Sequence, residues 1–138
     1  MPKDGLRGVI QRRLRAYHWQ PLDIDGLPNL NGCLKGKDIW LHCLSTFGWR
    51  VEVPQSLVEW MRGRAKVRGR VLVFVNRSSS EGARNRRREV DELWLIDGKY
   101  IRELRQNGLK RLPKKAVLGV WDGSPKTWNW LAIAKLLA

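Results

Sequence analysis

Cysteine is nearly absent: Cys33 and Cys43 are the only two in 138 residues. They form no multi-cysteine framework and no CxxC pair, which excludes a disulfide scaffold and leaves no zinc-site pattern. Both are expected as small buried thiols in a reducing compartment. Acidic residues are scarce as well, 13 against 27 Lys and Arg, for a formal net charge of +14. A surplus of that size repels itself unless an anion sits nearby. The expected partner is therefore nucleic acid, DNA first, held through its phosphates, with acidic lipid or acidic protein as alternatives. Many of the cations are arginines, whose planar fork suits phosphate oxygens. No apolar run reaches the length of a signal-peptide core or a membrane span. The expected location is the cytoplasm, or a virion if the protein is packaged.

Against these shortages stand a 43% hydrophobic content and eight tryptophans, enough for one domain around a single core. Leu6, Val9, Ile10, Leu14 and Tyr17 recur at three- and four-residue steps and predict an amphipathic helix over 6–17. Its other face carries Arg7, Arg12, Arg13 and Arg15, and Pro21 bars its continuation. A turn is expected over 18–26, then a short extended piece over 27–34 broken by Gly32. Lys35, Gly36 and Lys37 read as a tight hairpin turn into a strand over 38–44. Alternation puts Ile39, Leu41 and Cys43 on one face of that strand and Asp38, Trp40, His42 and Leu44 on the other.

Pro54 suits the first turn of a helix whose apolar stripe is Leu57, Trp60, Met61 and Ala65. Past its end the spacing places a basic series: Arg62, Arg64, Lys66, Arg68 and Arg70. The continuous apolar run 71–75 predicts a central strand buried on both faces, parallel to a neighbour because a helical crossover leads into it. Residues 76–88, rich in Ser, Gly and Arg, read as a mobile surface loop suited to phosphate. Runs at 92–97 and 99–104 flank Asp97-Gly98 and predict a hairpin, followed by a strand over 116–120. Ser124 and Pro125 mark the start of a last helix, apolar nearly all round, that ends at Ala138.

Four short pieces stand in a telling order: Gly26-Leu27-Pro28-Asn29, Leu30-Asn31-Gly32, Leu41-His42-Cys43-Leu44 and Val53-Pro54-Gln55. Together with the helix ahead of them and the buried strand behind, they resemble the VRR-NUC branch of the PD-(D/E)xK nucleases, especially its small phage versions. The likeness covers roughly residues 6–76. It implies an α/β fold of restriction-endonuclease-like type, a mixed sheet flanked by helices, here with a C-terminal hairpin and helix added. In that family GxPD and ExK supply an Asp and a Glu that hold magnesium or manganese, hard ions that prefer oxygen. The Lys of ExK orients the attacking water and steadies phosphate charge. The matching positions here are Asn29, His42 and Leu44, and nothing acidic lies between Asp4 and Asp23, where the family's first helix tends to carry an acid.

The resemblance thus implies the fold without its chemistry: no catalytic residue, no metal site and no cofactor. Asp38 shares a strand face with His42 but lies about 13 Å along the strand, too far to share one metal. Asp23, Asp25 and Glu52 are the acids a relocated site would use. His42 reads as a packed histidine beside Trp40, and Trp40, Trp49 and Trp60 as core before base-stacking platforms.

The domain expectation is a nuclease-like core over 1–98 and a C-terminal extension over 99–138 that packs on the core or on a partner. The functional expectation is a non-cleaving nucleic-acid binder that tracks phosphates with Arg62, Arg64, Lys66, Arg68 and Arg70, and with Arg84, Arg86, Arg87 and Arg88. The alternative is a phage structural or assembly protein. It would dock onto other subunits or a second copy through Trp128, Trp130, Leu131, Ile133 and Leu137. An active metal-dependent endonuclease with relocated acids stands third.

Overall fold

The computed structural model describes residues 5–78 and 91–138. A six-stranded mixed sheet runs in the order β1 (His18–Pro21), β2 (Leu30–Leu34), β3 (Lys37–Thr46), β4 (Val71–Ser78), β5 (Asp91–Asp97) and β6 (Val117–Asp122). It is flanked by helices α1 (Gly5–Arg13), α2 (Gln55–Lys66), α3 (Ile101–Asn107) and α4 (Trp130–Leu137). Neighbouring strands are antiparallel except β3 and β4, which run parallel with Trp40 opposite Val71 and Leu44 opposite Val75. Two strands joined by a helical crossover meet in this way because α2 carries the chain back to the end of the sheet where β3 began.

The core has two halves, one on each face of the sheet. On one face Leu6, Ile10, Ile133 and Leu137 of α1 and α4 pack on Ile39, Leu41, Phe74 and Leu95. On the other, Leu57, Met61, Ile101 and Leu104 of α2 and α3 pack on Val73, Val75 and Ile96. β4 contributes to both halves, which is why its first five residues are all buried and all apolar. The β2–β3 hairpin turns on Lys35 and Gly36 at φ 53° and 78°, the paired left-handed geometry of a two-residue turn.

Several elements differ from the sequence expectation. α1 ends at Arg13, not at Tyr17, and the Leu14 carbonyl accepts the Trp19 indole N–H at 2.8 Å instead of continuing the helix. Residues 18–21, expected as a turn, are edge strand β1. Gly32 does not break its strand: it stays paired opposite Trp19, whose ring lies where a Cβ would stand. α2 includes Arg62, Arg64 and Lys66, so only Arg68 and Arg70 lie past its end. β4 runs on to Ser78, so the expected loop cannot begin at Asn76; its remainder, 79–88, lies outside the described residues.

The expected hairpin at Asp97-Gly98 is a strand followed by a helix. The Asp97 carboxylate accepts the Lys99 N–H at 3.1 Å and turns the chain into α3, where Ile101 and Leu104 are buried three residues apart. α4 begins later than Ser124. That serine opens a turn, with Thr127 N–H and Trp128 N–H on its carbonyl, and Asn129 is the cap, accepting from Ala132 N–H at 3.0 Å. Residues 99–138 pack on the core: β6 pairs with β5, and α4 completes one half of the apolar interior.

Candidate functional site

The pieces that carry the nuclease resemblance converge. Gly26, Leu27, Asn29, His42, Pro54 and Leu57 line one cleft of about 260 Å³, together with Asp23 and Asp25. β3 delivers His42 to it, the 22–29 loop delivers Asn29, and the start of α2 closes it. Arg7 pins that loop from α1, its Nη1 donating to the Leu22 carbonyl at 3.1 Å, the Asn29 carbonyl at 3.3 Å and the Asp23 carboxylate at 3.0 Å. Arg7 is therefore spent internally and is not part of a free basic helix face.

At the centre of the cleft the Asn29 side chain acts as a strand neighbour. Its Nδ2 donates to the Cys43 carbonyl and its Oδ1 accepts from the Cys43 N–H, both at 2.8 Å. These partners fix the amide orientation and extend the β2–β3 ladder past the Leu30–Leu41 pair. Both polar atoms of the Asn29 side chain are engaged with the Cys43 backbone.

His42 is partly buried, and its Nδ1 is shut off from solvent without a hydrogen-bond partner. Burial pushes its pKa down to about 4, so it stands neutral at pH 7. Leu44 packs on the apolar half-core beneath α2. Burial likewise pushes the Cys43 thiol up to about 12, with the Arg7 charge pulling the other way.

Asp23 is engaged by Arg7, and Glu52 lines a separate cleft with Arg50 and Arg105. Among the described residues, no group of three His, Cys, Asp or Glu is placed to hold a metal ion. The cleft offers a neutral imidazole at His42, an amide at Asn29 already bonded to Cys43 through both its nitrogen and its oxygen, and the carboxylates of Asp23 and Asp25, of which Asp23 is paired with Arg7.

The basic series divides. Along α2, Arg62 and Lys66 are four residues apart on one side, while Arg64 falls on another. Arg64, Arg68 and Arg70 meet Lys35 and Lys37 around a different cavity, of about 510 Å³, at the end of the sheet where β3 begins. Parallel pairing of β3 with β4 makes this meeting, and the Trp40 N–H bonds the Arg70 carbonyl at 2.9 Å. Trp40 and Tyr17 supply aromatic wall. Arg64 lies 5.6 Å from the ring centres of both Trp40 and Trp60, which meet edge to face.

Arg70 is held by α4, its Nη1 and Nη2 donating to main-chain oxygens of Ala138 and Leu136 at 2.8 and 3.1 Å. Arg70 is thus a strut within the fold. Burial raises the Tyr17 pKa, and the Arg70 charge opposes that shift. The sequence reading leaves Lys35 and Lys37 out of the basic series because a Lys-Gly-Lys turn signals only a hairpin locally. Their neighbours come from residues 64–70, across the sheet.

Arg84, Arg86, Arg87 and Arg88 lie outside the described residues. Of the expected docking residues, Trp128, Ile133 and Leu137 are buried in the chain's own core and Trp130 packs against it, its indole bonded to the Pro125 carbonyl at 2.8 Å. Leu131 alone of that set is exposed, at 70%, joined by Leu136 at 38%. Trp40 and Trp60 are half-buried and pack against the interior, whereas Trp49 is exposed, with Arg77 over its ring at 3.9 Å. Arg77 also pairs across the ladder with Glu92 at 2.7 Å. Burial acts to raise the Glu92 pKa, but hydrogen bonds from Arg77 and Trp94 overcome it and hold the carboxyl below its usual range. No helix among the described residues is long and apolar enough to cross a membrane. Neither the protein-family models nor the curated proteins compared with this sequence give a match.

Proposed function

We infer that the chain is a nucleic-acid-binding module on a restriction-endonuclease-like scaffold of the small phage type, which holds phosphates without cutting the strand. The observation that carries this reading is the cleft at Asn29 and His42. Segments far apart in sequence come together there as a nuclease site requires, yet its central positions hold an amide bonded on both sides and a buried neutral imidazole. A hard divalent ion needs anionic oxygens, which neither group offers; of the two carboxylates that line the same cleft, Asp23 is paired with Arg7, and among the described residues no third ligand joins them. The formal charge of +14 supplies the attraction that remains.

The test is incubation with single-stranded, double-stranded and branched DNA plus magnesium or manganese, beside Asp25→Ala and Glu52→Ala variants. No cleavage should appear, and affinity should fall steeply from low to moderate salt. Cleavage lost in either variant would instead assign a working enzyme with relocated acids. Affinity indifferent to salt would remove the phosphate contacts from the account.

A second reading, an assembly protein docking to virion subunits or to another copy of itself, is favoured by the exposure of Leu131 and Leu136 on α4.

A further inference from the structure

Among the described residues, two that are not glycine adopt positive φ: Lys35 at 53° and Arg68 at 64°. Each sits where glycine is the least strained choice. Lys35 is the first residue of a two-residue hairpin turn, a position that demands left-handed backbone. Arg68 follows the end of α2, where its N–H bonds the Ala65 carbonyl and the next N–H, of Gly69, bonds the Arg64 carbonyl. That is the glycine position of a helix-closing motif. Two independent turns thus carry a long cation at a strained site, and both line the same cavity at the start of β3. Strain held at a residue is a pointer to what its side chain does.

The cavity is built for one chemical class. Lys37 and Arg64 add to the two strained cations, with Arg70 engaged by the main-chain oxygens of Leu136 and Ala138, against the single acidic side chain Asp38. Its interior is largely apolar, with Trp40 and Leu137 in the wall and Tyr17 stacked on Trp19 at 4.9 Å. A volume of about 510 Å³ is that of a small-molecule site, and a duplex, with its bases inside, has nothing to insert. A flat aromatic body with an attached phosphate satisfies both halves of the lining: stacking for the base, cations for the anion.

We propose that this cavity seats one unpaired nucleotide, its base against Trp40 and its phosphate on Lys35, Lys37 and Arg68. The inference deepens the nucleic-acid-binding reading and rests on it. The protein then selects single-stranded segments or frayed ends over blunt duplex.

The test uses fluorescence anisotropy at fixed salt with a labelled single strand, the same sequence as blunt duplex, and a duplex bearing a short single-stranded overhang. Calorimetry with a free nucleoside monophosphate forms a further arm. The variants are Lys35→Gly and Arg68→Gly, which relieve the strained backbone, and Arg62→Ala as a charge-matched control outside the cavity.

The single strand and the overhang should bind about tenfold tighter than blunt duplex. The glycine variants should lose about that advantage, while their urea midpoints stay equal or rise. Arg62→Ala should weaken all forms alike. Binding of the free monophosphate, lost in the glycine variants, without a preference for strands would keep the nucleotide chemistry and assign a free nucleotide as its source. Equal binding of all DNA forms, with glycine variants no worse than Arg62→Ala, would overturn the cavity while leaving general phosphate binding intact. If no nucleic acid and no monophosphate binds, the reading beneath it falls as well.

Discussion

Asn29 shows why single residues in the nuclease-like cleft resist a simple reversal. An Asp at that position would keep the acceptor for the Cys43 N–H but set its second oxygen against the Cys43 carbonyl, which now receives a donor. Asn29→Asp should therefore cost about 1–3 kcal/mol at pH 7, read from urea unfolding, the penalty of an unmet polar group in the ladder. Equal stability would mean that the amide pair is not what holds the turn.

His42 makes the second residue-scale test. Its pKa is about 4 in the fold against 6.5 unperturbed, so between those values the unfolded chain binds a proton that the folded chain refuses. Stability contributed by neutral His42 is complete above pH 6.5 and is lost as pH falls through about 4. The full loss is on the order of 3 kcal/mol. Urea midpoints measured downward from pH 7 should fall for the native protein and fall less for His42→Leu. Parallel curves would place the acid sensitivity elsewhere.

Among the elements, α4 is where pattern and packing part company. Its sequence is apolar nearly all round, yet the fold buries Ile133 and Leu137 and leaves Leu131 exposed. Ile133→Ala should cost about 2–5 kcal/mol through the cavity left behind, whereas Leu131→Ala should stay within about 0.5 kcal/mol in a monomer. Sedimentation of Leu131→Glu beside the native chain then separates core from docking: a mass that drops in the variant supports assembly, and an unchanged monomer counts against it. Removing residues 125–138 would not make that distinction, because Trp128, Ile133 and Leu137 belong to the core. α2 and β4 were legible from periodicity alone, since a helical stripe and a doubly buried strand are written in local spacing. β1 was not, because an edge strand exposed on most of its length carries no alternation to read. In α3 the Asp97-Gly98 pair masked Ile101 and Leu104, whose three-residue spacing was the usable signal.

For the molecule as a whole, composition and packing carry different information. The excess of Lys and Arg predicts contact with an anion from composition alone, and the nuclease-like order of short motifs predicts a mixed sheet with helices, which the protein has. That positions 29 and 42 hold an amide and an imidazole was equally plain, since residue identity needs no fold. What the sequence could not supply was company. That Asn29 is bonded to Cys43, that Arg7 and Arg70 are struts, and that Arg64 and Arg68 share a cavity with Lys35 and Lys37 all depend on contacts between distant segments. Propensity and periodicity are properties of neighbours along the chain, whereas hydrogen-bond partners and cavities arise only when the β2–β3 hairpin and the α2 crossover bring remote residues together. The sequence determined that this protein is basic and that Asn29, His42 and Leu44 carry no carboxylate; the tertiary structure alone decided which of its cations share a cavity.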